Sequence, residues 1–245
     1  MNDSNNQCTS DDQAIAPSVM LSGAKRPERA GPAVAAAILA IPAAVFAQVL
    51  VVLPFMAGRF SNIDKNGQSD FPPGALLGAV IATEVTFALF AFWGIKQSKA
   101  PLVDGLTLHR PRTGWRLLPL LVVSSLLTYL IGASFAGWLI TQGWLPQMSS
   151  TPASMLDGLS PAWKVAFLIA MSVGPGLAEE LLYRGYVQTR LLRVWRPSIA
   201  IPTASLLFAC AHLHPAHVVG VIPISLWLGF VAYRTGSIQI GRAHV

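Results

Sequence analysis

Apolar residues in this chain come in long, nearly unbroken runs, without the strict alternation of a strand or the narrow stripe of a soluble helix. Six runs stand out: Pro32 to Met56, Pro73 to Ile95, Trp115 to Ile140, Trp163 to about Trp195, Ser198 to Leu213 and Val218 to Tyr233. A bilayer crossing takes about 20 apolar residues. The pattern therefore predicts an all-α fold, a polytopic membrane helical bundle with about six transmembrane helices. The fourth run is too long for one perpendicular crossing at about 1.5 Å per residue. It must tilt, or its amphipathic end from Gln188 to Arg196 must lie along the interface. Gly174-Pro175-Gly176, inside the same run, predicts a kink or break. The fifth run is short and bounded by Pro197 and Pro215. No internal repeat is evident.

Composition narrows the class. Only 11% of the 245 residues are charged and 53% are hydrophobic, against roughly 25% charged in soluble domains. The net charge of +6 reports topology before it reports a polyanionic partner. No basic run with interleaved aromatics is present, so nucleic acid is not an expected partner, whereas the lipid bilayer is. Basic residues gather before the first run, between the second and third, between the fourth and fifth, and after the sixth. Six crossings with a cytoplasmic N-terminus fit that distribution and place the chain in the cell membrane as a multi-pass protein. Residues 1–31 are polar and lack an apolar stretch near Met1, which excludes a secretory signal and reads as a disordered tail. The membrane-embedded domain is expected over 32–238. The connector LTLHRPRTGW after the second run reads as interfacial. Cys8 and Cys210 give neither metal spacing nor a disulfide framework.

Against this apolar background, the adjacent Glu179 and Glu180 are the informative feature. A charge inside hydrocarbon costs several kcal/mol unless it has a partner, a proton or a task. Glu180 and Arg184 are four apart with the acid first, the favoured order for a helical ion pair. Glu179 lies on another face and lacks that partner, which suits a general base. His212 closes the fifth run. In a hairpin turning at Arg196-Pro197, Glu180 and His212 are each about 16 residues from the turn, so antiparallel helices bring them to one depth. This assigns Glu180 and Arg184 to bracing, and Glu179 with His212 to work on a water. His214 and His217 read as interfacial, although their spacing with His212 could hold a metal. Glu84, a further buried acid, reads as bonded to a neighbour rather than lining the same cavity.

The run Glu179-Glu180-Leu181-Leu182-Tyr183-Arg184 matches the E-E-x-x-x-R signature of the CPBP family, the CAAX proteases and bacteriocin-processing enzymes also called Abi proteins. Phe208-Ala209-Cys210-Ala211-His212 matches that family's F-x-x-x-H, and GFVAYRTGSI from Gly229 to Ile238 resembles the segment before its last motif. The resemblance covers about residues 100–238. It implies an intramembrane endopeptidase that activates water with Glu179 and His212, Glu180 and Arg184 filling the other motif positions. The implied substrate is a peptide or protein with a membrane-proximal cleavage site. The cofactor stays open: a divalent metal such as zinc, held by Glu179 and His212, or none.

The chain also departs from the family, whose next helix carries a histidine and, four residues later, an asparagine or similar group credited with oxyanion stabilisation. This chain ends GSIQIGRAHV, with His244 as the lone candidate. Gln239 to Val245 back-translates into a common sequencing-library adapter. The expectation is that 239–245 is not native, that a C-terminal helix is missing, and that the chain as given is inactive or nearly so. Two other classes fit the same residues. In a proton-coupled transporter subunit the carboxylates and His212 form a relay. In a non-catalytic immunity or scaffold protein the bundle alone matters.

Overall fold

The computed structural model describes residues 29–56, 73–98, 101–106, 108, 117–147, 156 and 159–236. The ends expected to be a disordered tail and an adapter-derived segment, His244 included, lie outside them, as does most of the expected interfacial connector. Among the described residues there are helices and no strand. They are α1 (Gly31–Met56), α2 (Pro73–Ser98), α3 (Leu102–Gly105), α4 (Leu118–Thr141), α5 (Pro161–Glu179), a π-helical segment (Glu180–Gln188), α6 (Thr189–Leu192), α7 (Pro197–Cys210) and α8 (Pro215–Thr235). Each apolar run became a helix, with ends within a few residues of those expected.

Five helical stretches are long and apolar enough to cross a membrane, the longest being the 32 residues of Pro161–Leu192. The expected sixth crossing, α7, has only 14 residues, about 21 Å at 1.5 Å per residue, against a hydrocarbon core of about 30 Å. Large apolar side chains such as Phe46, Leu89, Leu120, Ile131 and Ile169 point outward. In water such a surface would aggregate; in lipid it is the solvated face. The fold is that of a multi-pass membrane protein.

Where helices meet, the contacts are built from small residues, as expected when lipid supplies no hydrophobic drive between helices and close packing must hold them. Ala33, Ala36, Ala37, Ala40 and Ala44 form one buried stripe of α1, along which α2 packs. Farther on, α4 packs against α8. There a Cβ on Gly132 would collide with the Gly220 carbonyl, so glycine is required at that crossing. Gly94 of α2 likewise admits the Tyr186 ring.

The fourth run differs from expectation in two ways. The break at Gly174-Pro175-Gly176 is absent, because α5 continues through all three residues. The departure from α geometry comes instead at Glu180, where nine residues adopt a π-helix. π-Turns are rare and concentrate at functional sites, since the wider winding re-aims side chains. The first half of the amphipathic end is turned away from any interface. Gln188, Thr189, Arg190 and Leu191 are buried, with the Arg190 guanidinium 5.9 Å from the Tyr186 ring centre. The polar face that looked solvent-directed is turned into the bundle, so Arg190 is not a surface topology marker. The connector after α2 also departs from an interfacial reading at its first residue, Leu106. That side chain is fully buried. A Cβ on Gly185, in the π segment, would sit 3.2 Å from both the Leu106 side chain and its carbonyl oxygen.

Candidate active site

Four elements converge on the first motif. Glu180 and Arg184, both buried, pair with Arg184 Nη1 3.1 Å from Glu180 Oε1. The other terminal nitrogen, Nη2, donates to Ser225 of α8, at 3.1 Å to Oγ and 3.3 Å to the carbonyl oxygen. Ser225 is in turn locked to α7: Ser205 Oγ donates to the Ser225 carbonyl at 3.0 Å, and Ser225 Oγ to the Ser205 carbonyl at 3.1 Å. One turn along, Gln188 Nε2 donates to the Gly229 carbonyl at 2.8 Å. Taking a guanidinium and a carboxylate out of water is costly, and these bonds offset it. The bracing role read for Glu180 and Arg184 has its geometric counterpart here.

Arg184 also joins the two motifs. Its guanidinium carbon lies 4.1 Å from the centre of the Phe208 ring, a stacked cation–π contact. Phe208 receives Tyr183 edge-on at 5.4 Å between centroids, and Phe87 of α2 meets Tyr183 at 5.9 Å. Four residues beyond Phe208, His212 packs edge-on to it at 5.0 Å. The hairpin register is thereby fixed. Arg184 faces Phe208, and Glu180 and His212 each lie four residues farther from the turn, as the count from Arg196-Pro197 anticipated.

Glu179 and His212 share that level without touching. No hydrogen bond or ion pair joins them, and Glu179 is half-buried beside the fully paired Glu180. His212 Nδ1 lies 3.2 Å from the Phe208 carbonyl. A carbonyl only accepts, so Nδ1 carries the hydrogen and a neutral ring keeps Nε2 as an acceptor. The following residue, Leu213, takes a positive φ of 60°, an uncommon conformation for a branched side chain. It turns the chain into α8 directly after His212.

Among the described residues no group of three or more His, Cys, Asp or Glu side chains converges to hold a metal. The histidine spacing brings together two rings only, His212 and His217, at 4.4 Å. His217 is exposed in the first turn of α8, as an interfacial residue would be, while His214 precedes that helix with a buried Nδ1 lacking a partner. Among the described residues no third protein donor joins Glu179 and His212, where catalytic zinc sites use three.

Glu84 corrects a sequence reading. Its Oε2 is buried without a hydrogen-bond partner, so it is not satisfied by a neighbour. It packs instead against Gly174 of α5, whose Cβ would sit 3.0 Å from Glu84 Cγ, and its charge is within reach of Glu179. Residues that the motifs did not single out are Ser205, Ser225 and Gln188. Their signal was present, since small polar residues inside apolar runs mark helix contacts, but their partners lie 20 and 41 positions away.

Residues 161–241, which hold both motifs and the whole bonded network, match the family model described as Type II CAAX prenyl endopeptidase Rce1-like. Over those residues the chain is similar to the CAAX prenyl endopeptidases. No curated protein and no solved structure matches it. The CAAX protease match begins at the first residue of α5 and takes in the π segment, α7 and α8. Helices α1, α2 and α4 stand outside it. The family is one of peptidases, so hydrolysis of a peptide bond is the chemistry against which the site is to be read.

Proposed function

We propose that this chain is an intramembrane endopeptidase of the cell membrane, with its N-terminus cytoplasmic, acting on a peptide or protein cut near the membrane surface. Glu179 acts as the general base that takes a proton from water. His212, through Nε2, accepts a hydrogen bond that orients that water, and Glu179 passes the proton it took to the departing amine. Glu180 and Arg184 hold the π segment in register and do not contact the reacting atoms. The observation that carries this reading is the Arg184 guanidinium, which binds Glu180 on one side and stacks on Phe208 on the other. It ties the two motifs so that the free acid and the histidine lie on one level. The mechanism runs through this chain's own carboxylate and imidazole. Positioned proton transfer of this kind contributes typically 10²- to 10⁴-fold.

The test is cleavage of a membrane-anchored fluorogenic peptide by the purified chain in lipid nanodiscs. Glu179→Ala and His212→Ala should each lower kcat by at least about 100-fold while the thermal transition stays in place. Full activity in a folded Glu179→Ala variant would overturn the assignment. A transporter would instead lose proton coupling, and a scaffold would lose neither.

A further inference from the structure

The α2 face turned toward the site carries one residue that does not belong on an apolar stripe. Phe87, Ala91, Gly94 and Ile95 are buried along it. Glu84 falls three residues before Phe87, on the same stripe at helical spacing. An intramembrane acid on such a face is a functional residue by default. Here its Oε2 is buried and unpartnered. Its stem packs tightly against Gly174, where an added Cβ would sit 3.0 Å from Glu84 Cγ.

A second orphan lies in the π segment that packs on α2. Tyr183 is fully buried between the Phe87 and Phe208 rings, and its hydroxyl also has no hydrogen-bond partner. Tyr183 and Glu179 are four residues apart on the helix, and Gly174, against which Glu84 packs, lies five residues before Glu179. Buried polar groups in native proteins are nearly always satisfied. A buried water typically makes about three bonds to groups that are otherwise unsatisfied. Glu84, Tyr183 and Glu179 supply three such groups from two helices, one of them outside the segment that matches the protease family.

We propose that Glu84 and the Tyr183 hydroxyl hold the hydrolytic water against Glu179, so that α2 completes the active site from outside the family motifs. The inference rests on the endopeptidase reading for its chemistry. Its geometric core, an ordered water bounded by these three side chains, does not depend on catalysis. Tyr183 donates to the water oxygen, Glu179 accepts one of its hydrogens, and Glu84 shares the other with His212 Nε2. Proton transfer then goes to Glu179, and Glu84 fixes the direction from which the oxygen attacks.

Two measurements on the full-length chain in nanodiscs test this. The first is radiolytic hydroxyl-radical footprinting read by mass spectrometry, which detects bound water beside an aromatic ring whether or not the chain cleaves anything. Tyr186, equally enclosed at 4% exposure but packed into Gly94, is the internal reference. Tyr183 should be oxidised at least about fivefold faster than Tyr186, and Glu84→Leu should remove that excess. Equal rates for the two tyrosines would overturn the proposal even if proteolysis is confirmed. The second is steady-state cleavage by Glu84→Gln, Tyr183→Phe and the double variant, each checked by its thermal transition. Each single change should lower kcat about tenfold or more with KM within about twofold. The double variant should lose much less than the product of the two, because both side chains serve one water. Glu84→Asp should recover part of the loss. Glu84→Gln at wild-type kcat, or strictly multiplicative losses, would refute the shared water. If the wild-type chain shows no cleavage, the footprinting result alone decides this inference.

Discussion

At the scale of single residues, the Glu180–Arg184 pair is the most exacting feature of the chain. Both side chains are buried, and the guanidinium is shared among a carboxylate, a serine and an aromatic face. Removing one partner strands a charge in a low-dielectric interior, at about 3–5 kcal/mol. Arg184→Met alone should therefore unfold the bundle at markedly lower temperature in nanodiscs. The double variant Glu180→Gln with Arg184→Met should recover most of that loss, because replacing both members of a buried pair is often nearly neutral. If stability recovers and cleavage does not, the pair serves positioning rather than folding. Arg184→Lys is not conservative, since an ammonium lacks the planar fork that bonds Ser225 while stacking on Phe208. The donor set bears on metal dependence in the same way. With two histidine rings adjacent and no third ligand converging among the described residues, dialysis against a chelator such as 1,10-phenanthroline should leave cleavage within about twofold. A loss restored by zinc would contradict that.

At the scale of elements, the π segment sets the aim of the site. Its nine residues include Glu180, Tyr183, Arg184 and Gln188, each pointed at a different neighbour. Gly185 lies in their midst because α3 delivers Leu106 against it, leaving 3.2 Å where a methyl group would go. Gly185→Ala should overpack that contact by about 1–3 kcal/mol, seen as a lowered thermal transition. A companion Leu106→Ala, which opens space on the other side, should return part of it. Cleavage by Gly185→Ala should fall more than its stability predicts, because a displaced π turn misaligns Glu179 and Tyr183 together. None of this was legible locally. The motif E-E-x-x-x-R is written with spacing that suits an ordinary α-helix. The neighbour packed against Gly185, Leu106, comes from a connector that read as interfacial.

At the scale of the whole molecule, the short α7 is decisive. About 21 Å of helix does not span about 30 Å of hydrocarbon, so the α7–α8 turn, with His212, ends inside the bilayer or in a water-filled recess. A hydrolase needs the second. Cys210, unpaired and exposed at the end of α7, reports on it. In a Cys8→Ser background, Cys210 should react with a membrane-impermeant maleimide in nanodiscs. A cysteine placed at Leu206, one turn earlier and outward-facing, should not. Protection of both would mean that water does not reach the site from either side.

The sequence by itself determined the helical class, the positions of six helices to within a few residues, the Glu180–Arg184 pair and the register that sets Glu180 level with His212. These rest on period, length and i,i+4 spacing, which are properties of a segment and its immediate neighbours. Only the tertiary structure decided the rest. It bonded Arg184 to Ser225, and Ser225 to Ser205, across three helices. It buried Arg190 although its segment looked interfacial, paired α4 with the distant α8, and left Glu84 Oε2 buried without a hydrogen-bond partner. Each of these is a contact between residues far apart in sequence. A local pattern shows that such a polar group must find a partner, but not which helix will supply it.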